Sequence, residues 1–280
     1  CLSVASTVVL VRSLERAGLL ESMTGHIAIG WLVVEDLVMV LVLVLLPPLA
    51  GALGGNAAPT GEHSLAITLL ITLVKVAGFI VLMMVVGKRV FPWLLWQVAH
   101  TGSRELFTLC VVAAAIGIAY GSSILFGVSL ALGAFFAGIV MRESSLSYRA
   151  AKESLPLRDA FSVLFFVSVG MLFDPRVLVD NPLGVLAVVM IIMFAKSMTA
   201  FTLVKLFRYP LNTALTVSVG LAQIGEFSFI LASLGVALGL LPKEGQNLIL
   251  AGSLISIALN PLVSYAVEPL QRWIRSRSRF

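Results

Sequence analysis

Residues 27–46 form a run of twenty residues whose only charged side chains, Glu35 and Asp36, lie near its centre. A helix of about 20 residues spans the hydrocarbon core of a bilayer. Only helices and closed barrels cross that core, because each backbone N–H and C=O group must be bonded within the protein. The run therefore predicts a membrane helix. A charged side chain at the centre of such a helix costs roughly 2.5–3.5 kcal/mol on insertion, so we favour a transport role for the two acids over a structural ion pair.

The composition extends this prediction to the whole chain. Hydrophobic residues make up 59% and charged residues 12% of the sequence, and the mean hydropathy is +1.06, whereas soluble domains carry about 25% charged residues. Nine apolar segments are predicted: residues 1–11, 27–46, 65–86, 106–120, 124–141, 161–172, 183–206, 214–240 and 248–267. No phosphate-binding loop, catalytic triad or zinc-ligand pattern occurs, and both cysteines lie in apolar segments. We therefore expect an all-α membrane protein that is not an enzyme and holds no cofactor.

The basic residues alternate between the loops. Fifteen of the nineteen Lys and Arg residues lie in or next to the loops after odd-numbered segments and in the tail after residue 267, and only Arg176 and Lys243 lie in the other loops. Cytoplasmic loops carry the excess of Lys and Arg. The pattern places the C-terminal tail in the cytoplasm and the loop 47–64 outside. It also explains the net charge of +5 without a nucleic-acid partner.

Two segments carry polar clusters that indicate broken helices. Segment one contains Ser6 and Thr7, and segment eight contains Gln223 and Glu226 within a glycine-rich stretch. Glycine loosens a membrane helix, and polar groups then satisfy the freed backbone. Two interrupted helices in corresponding halves of an inverted repeat mark the binding site of a transporter. Taken singly, each cluster also fits ordinary helix packing.

Lys196 lies inside segment seven, where an ammonium needs an acidic partner or loses its proton. Glu35 and Asp36 are the candidate partners. Adjacent helix residues point in different directions, so one acid can face Lys196 while the other faces a water-filled cavity. Lys75, in segment three, has no evident acidic partner nearby in the sequence, and its role stays open.

Five stretches, taken together and in order, resemble the monovalent cation:proton antiporter-2 family, its Kef-type members and most closely the YbaL-like subgroup. They are residues 3–10, 30–38, 131–138, 164–171 and 221–227. The resemblance implies a sodium/proton-antiporter-like bundle with inverted repeats, in which segments one and eight cross at their unwound centres. It implies a core of residues 1–46, 106–141 and 183–267, with the remaining helices toward a homodimer interface. Because the chain starts inside an apolar segment without an initiator Met, we expect further helices before it.

The resemblance also assigns roles to residues. It implies that Asp36 is the ion-binding acid and that Lys196 pairs with the preceding residue, Glu35. Kef-type members carry Gln-Asp at this pair, and electrogenic members often carry two aspartates. Glu-Asp in this chain leaves the ion and the stoichiometry open. The family also implies a bacterial inner-membrane location and a cytoplasmic nucleotide-binding domain after this part of the chain.

The resulting expectation is a proton-coupled antiporter for K⁺ or Na⁺. Asp36 binds the proton or the cation but never both, so it must gain and lose a proton at the working pH. Ser6, Thr7 and backbone carbonyls at the broken helices would coordinate the cation, and Gln223 and Glu226 would act at the crossing or in gating. A ligand-gated K⁺ efflux channel is the first alternative, and a sodium-coupled symporter of an organic anion is a more distant one.

The charge pattern makes the topology testable. In a background with Cys1 and Cys110 replaced by alanine, a cysteine at Asn56 should react with an impermeant thiol reagent added outside the cell. A cysteine at Ser145 should react only once the cytoplasm is accessible. The reverse pattern would contradict the segment assignment.

Overall fold

The computed structural model describes residues 1–56 and 65–277, with only the backbone from residue 266 onward. These ranges contain helices and no strand, which confirms the predicted all-α fold. The helices are α1 Thr7–Arg16, α2 Met23–Leu49, α3 Leu65–Leu82, α4 Lys88–Ala99, α5 Arg104–Phe126, α6 Leu130–Arg142, α7 Ser147–Met171, α8 Val177–Asp180, α9 Pro182–Met190, α10 Lys196–Leu206, α11 Leu211–Gly220, α12 Glu226–Ala237 and α13 Lys243–Arg277. Two π-helical turns, Met83–Gly87 and Ile191–Ala195, join α3 to α4 and α9 to α10.

Six helical stretches within the described ranges are long and apolar enough to cross a membrane. They are Met23–Leu49, Leu65–Ala99, Arg104–Phe126, Ser147–Met171, Pro182–Leu206 and Lys243–Tyr265. Leu130–Arg142 and Glu226–Ala237 are shorter apolar helices. Large apolar side chains such as Val34, Leu70 and Ile116 are more than half exposed. Exposed apolar faces of this extent fit contact with lipid or with other helices rather than with water.

The boundary between segments four and five differs from the prediction. The sequence indicated a turn at residues 121–123, but α5 continues to Phe126. The Ser122 hydroxyl donates to the carbonyl of Ala119, one turn earlier in the same helix. The helix ends instead at Gly127, whose φ of 66° lies in the left-handed region that glycine tolerates. Ser129 then caps α6 by accepting from the N–H of Leu132.

Backbone contacts divide the chain into two units. The first comprises Cys1–Met39 and Phe166–Phe280. Its core joins α1, α2, α10 and α11, where Ala28, Ala200 and Ala214 are completely buried. Small side chains at these positions let membrane helices approach closely.

The second unit comprises Val40–Phe165. Lys88 pairs with Glu143 at 3.1 Å, and Arg149 pairs with Glu153 at 3.0 Å. The first pair joins the junction of α3 and α4 to the end of α6, which agrees with placing the basic loops after segments three and five on one side. Residues 106–141 belong to this unit, and their assignment to a transport core stays a prediction. Residues 57–64 of the predicted external loop and 278–280 of the tail lie outside the described residues.

A candidate cation site at the helix crossing

Two chain breaks meet in the first unit. Residues 3–6 are not helical and lead into α1. Residues 221–225 separate α11 from α12 in the middle of segment eight. The N–H of Gly225 donates to the carbonyl of Val4 at 3.0 Å. The two extended pieces therefore cross in direct backbone contact.

Gly225 permits this approach because it has no side chain. A Cβ atom there would lie 2.5 Å from Cα and 2.7 Å from the backbone nitrogen of Ser6. Both are main-chain atoms, so no side-chain rotation relieves the clash. Glycine at position 225 is therefore a packing requirement of the crossing.

The side chain of Gln223 bridges the two broken helices. Its Oε1 accepts from the N–H of Ser6 at 2.9 Å. Its Nε2 donates to the carbonyl of Ser6 at 3.2 Å and, at 3.4 Å, to the carbonyl of Gly220. The residue is 0% exposed, so the protein itself supplies these partners.

Glu35 and Lys196 meet beside the crossing. The ammonium nitrogen of Lys196 lies 4.0 Å from Oε2 of Glu35, and their side chains are 10% and 17% exposed. Oε2 of Glu35 accepts from the N–H of Ala5 at 3.0 Å, and Oε1 accepts from the indole of Trp31 at 2.8 Å. Lys196 donates to the carbonyl of Gln223 at 3.1 Å. Glu35 thus satisfies the N–H of Ala5 at the first break, and Lys196 satisfies the carbonyl of Gln223 at the second break.

Lys196 directly follows the π-helical turn Ile191–Ala195, and its own N–H donates to the carbonyl of Ile191. A π-helical turn inserts one extra residue and shifts the register of the helix that follows. Such turns occur often at functional sites. Here the shift contributes to the direction in which the lysine leaves α10.

Asp36 is bonded differently from Glu35. The Thr7 hydroxyl donates to its Oδ2 at 3.4 Å. Its Oδ1 is buried and has no hydrogen-bond partner among the described residues. Oε2 of Glu226, in the first turn of α12, is also buried without a partner in the same ranges. Glu226 lies near enough for the two charges to interact. Oxygens in this condition are available to a proton or a cation.

The structure brings together all seven residues that the sequence singled out: Ser6, Thr7, Glu35, Asp36, Lys196, Gln223 and Glu226. Their functional roles stay predictions. The Ser6 hydroxyl accepts from the N–H of Val9 and caps α1. The carbonyl of Ser6 accepts from Leu10 and Gln223. These contacts satisfy part of the hydrogen-bonding capacity of Ser6, and its predicted role as a cation ligand stays a prediction.

Sequence reasoning missed Trp31. Its indole fixes the carboxylate of Glu35 from one helical turn earlier. Residues four apart share a helix face, so the spacing alone could have indicated this contact. No comparable spacing in the sequence predicts the hydrogen bond from the N–H of Ala5 to Glu35.

Comparison with known proteins matches residues 1–265 to a family described as sodium/hydrogen exchanger, transmembrane. A candidate cation/proton antiporter of Escherichia coli (strain K12), YbaL, is 60% identical over 268 residues, which are 96% of this chain and 48% of that protein. K(+) efflux antiporter 6 of Arabidopsis thaliana is 33% identical and covers 94% of this chain and 43% of its own length. The glutathione-regulated potassium-efflux system protein KefC of Cronobacter sakazakii (strain ATCC BAA-894) is 26% identical over 99% of this chain and 43% of its own length. The chain thus spans about half the length of these relatives, and the matches confirm the resemblance carried by the sequence motifs.

Replacing Gly225 with alanine tests the backbone contact at the crossing. The added Cβ would push Val4–Ser6 away from the second break and disturb the hydrogen bonds that join Gly225 to Val4 and Ser6 to Gln223. Overpacking of this kind costs about 1–3 kcal/mol or more, so we expect a clearly lower melting temperature. Gly117→Ala is the matched control, because a Cβ there meets no atom within 4 Å. Equal melting temperatures of Gly225→Ala and Gly117→Ala would contradict the close backbone contact at the crossing.

Lys196→Gln tests the pair with Glu35. The change leaves a buried carboxylate without its cation, which typically costs about 3–5 kcal/mol unless protonation relieves it. The double variant Glu35→Gln with Lys196→Gln should recover much of the melting temperature. Lys75→Gln, an exposed lysine of α3, should change it little. If the changes in melting temperature of the two single variants simply add in the double variant, Glu35 and Lys196 are not coupled.

Proposed function

The chain belongs to the sodium/hydrogen exchanger family, and on this premise we propose that it is the ion-translocating part of a proton-coupled antiporter for K⁺ or Na⁺. It is a transporter by family rather than an enzyme. Because it spans about half the length of its relatives, the activity of the whole protein is part of the proposal.

The difference between the two adjacent acids carries the proposal. Both oxygens of Glu35 accept hydrogen bonds, and Lys196 stands beside them. Asp36 has one hydroxyl contact and one buried oxygen without a partner among the described residues. An uncompensated buried carboxylate is stabilised either by taking up a proton or by binding a cation. Asp36 is therefore the group at which the two ions compete.

Competition at one carboxylate couples the two fluxes. When Asp36 holds a proton it has no full charge for the cation, and when it holds the cation it has released the proton. The Thr7 hydroxyl supplies an adjacent oxygen ligand. Alternating access then requires the site to face each side of the membrane in turn, by rocking of one part of the bundle against another.

Cavities in the first unit support access from the arginine-bearing end of α1. A cavity of about 340 Å³ is lined by Gly220 at the end of α11 and by hydroxyl and amide side chains, including Ser13, Thr24, Asn212 and Thr216. A second cavity of about 570 Å³ shares Ser13 and Ser264 with it and includes Arg12 and Arg16. By the positive-inside pattern this end is cytoplasmic. The hydroxyl, amide and guanidinium groups within this mostly apolar lining offer hydrogen bonds to water on a path toward the crossing.

The names of the relatives favour antiport and K⁺. Those from Escherichia coli and Arabidopsis thaliana are described as antiporters, and the latter as a K(+) efflux antiporter. A channel of the same fold would carry the cation without a coupled proton. The competition proposed at Asp36 favours the antiporter over that alternative and over the anion symporter.

We propose the setting of the protein on the same family grounds. It lies in the bacterial inner membrane with the C-terminal end of α13 in the cytoplasm and assembles as a homodimer in lipid. A cytoplasmic nucleotide-binding domain after this part of the chain is consistent with the greater length of the relatives.

Asp36→Asn tests the proposed function. Asparagine cannot release a proton and offers no full negative charge, so exchange should fall to background while the protein inserts and folds. The assay reconstitutes the intact protein in liposomes with a pH-sensitive dye inside, while K⁺ and Na⁺ are varied outside. Asp180→Asn, an exposed acid in α8, should exchange like the unchanged protein. Normal cation-driven proton movement in Asp36→Asn would remove the central claim. Cation flux without proton movement in the unchanged protein would favour a channel.

A further inference from the structure

The two chain breaks leave backbone groups without their helical partners. The N–H of Ser6 lies at the start of α1, and the carbonyl of Gly220 lies at the end of α11. The terminal groups of a helix need partners from outside it. Within a membrane water is scarce, so the protein must supply them.

One side chain satisfies these groups from both breaks. The Gln223 amide has one carbonyl oxygen and two N–H donors. The oxygen accepts from the N–H of Ser6, one donor meets the carbonyl of Ser6, and the carbonyl of Gly220 lies within reach of the same nitrogen. The two bonds to Ser6 run in opposite directions, as between paired backbones in a sheet. The side chain therefore replaces a peptide group that neither broken helix provides.

The backbone of Gln223 extends the same connection. Its carbonyl accepts from Lys196, and its N–H donates to the carbonyl of Leu221 at 2.8 Å. Lys196 in turn stands beside Glu35. A single buried residue thus ties the start of α1 to the break between α11 and α12 and to the lysine of α10.

The bond to Ser6 bears directly on Asp36. Ser6 immediately precedes Thr7, whose hydroxyl donates to Asp36, and follows Ala5, whose N–H donates to Glu35. Holding Ser6 in both directions fixes the residues on either side of it. The side-chain oxygen of Gln223 accepts from Ser6, so the amide can act on Asp36 through Ser6 and Thr7.

We propose that Gln223 is the positioning residue of the cation site: its side-chain amide holds Ser6 so that Thr7 faces Asp36, and it thereby sets the affinity for the cation. This inference rests on the proposed function and names a residue of the same site. A residue that only fills space at the crossing would change stability and the amount of folded protein, but not the concentration of cation that half-saturates transport.

The test compares Gln223→Met, which keeps the length but loses the hydrogen bonds of the side-chain amide, with Gln223→Glu, which keeps an acceptor for the N–H of Ser6 and loses the amide donors. Gln246→Met is the control, since the side-chain amide of that glutamine donates to the hydroxyl of Ser233 in a contact exposed to solvent. KM for K⁺ and Na⁺ and the maximal rate are measured for the intact protein in liposomes. A disrupted buried hydrogen bond corresponds to roughly a 5- to 30-fold change. We expect Gln223→Met to raise KM by that factor with a smaller effect on the maximal rate, Gln223→Glu to raise it less, and the control to leave it unchanged.

Amide hydrogen exchange of peptides covering residues 4–9 supplies a readout that needs no transport. Exchange there should accelerate in Gln223→Met and not in Gln246→Met, because the N–H of Ser6 loses its acceptor. Unchanged protection of these peptides, or a lower melting temperature with unchanged KM, overturns the inference.

If the unchanged protein moves no protons with cations, the proposed function fails. Cation-induced thermal stabilisation then replaces KM as the measure of affinity, and equal half-saturating concentrations in the variant and unchanged proteins overturn the role of Gln223.

Discussion

The hydrocarbon of a bilayer offers no hydrogen-bond partners to broken helices, so the protein must supply partners at the crossing. Each interrupted helix exposes backbone groups whose burial without a partner is costly. The groups described at the crossing are satisfied by the opposite chain segment or by a side chain packed against it: Val4 with Gly225, Ser6 with Gln223, Ala5 with Glu35 and Gln223 with Lys196. Loss of the contact between Val4 and Gly225, or of that between Ser6 and Gln223, therefore affects both breaks at once.

The charges at the crossing divide into two sets. Glu35 and Lys196 lie together, and each also bonds to backbone, so their electrostatic cost is offset locally. Asp36 and Glu226 each have a buried oxygen without such compensation among the described residues. The first set stabilises the site, and the second leaves it with a negative field. This negative field is what the proposed competition between a proton and a cation requires.

The two adjacent acids of α2 have different partners. Trp31 fixes the carboxylate of Glu35 from one turn earlier, and Thr7 contacts Asp36 from the neighbouring helix. Adjacent positions on one helix thus meet different surroundings, because side chains one residue apart point in different directions. Burying two acids in succession is tolerable because only one of them lacks a fixed partner.

The sequence by itself determined the membrane-helical fold and the two places where helices break at the crossing. Hydrophobic length, glycine content and the position of polar residues are local properties, and the cost of exposing backbone in a bilayer acts on each segment separately. The turn expected at residues 121–123 was wrong because the Ser122 hydroxyl bonds back within α5 and the helix ends at Gly127, which tolerates the left-handed conformation.

Only the tertiary structure decided which partner each polar residue meets. Ser6 and Gln223 are 217 residues apart, and Lys196 bonds to a backbone carbonyl as well as standing beside Glu35. Periodicity tells which face of a helix a residue occupies, but the packing of separate helices determines what lies opposite that face.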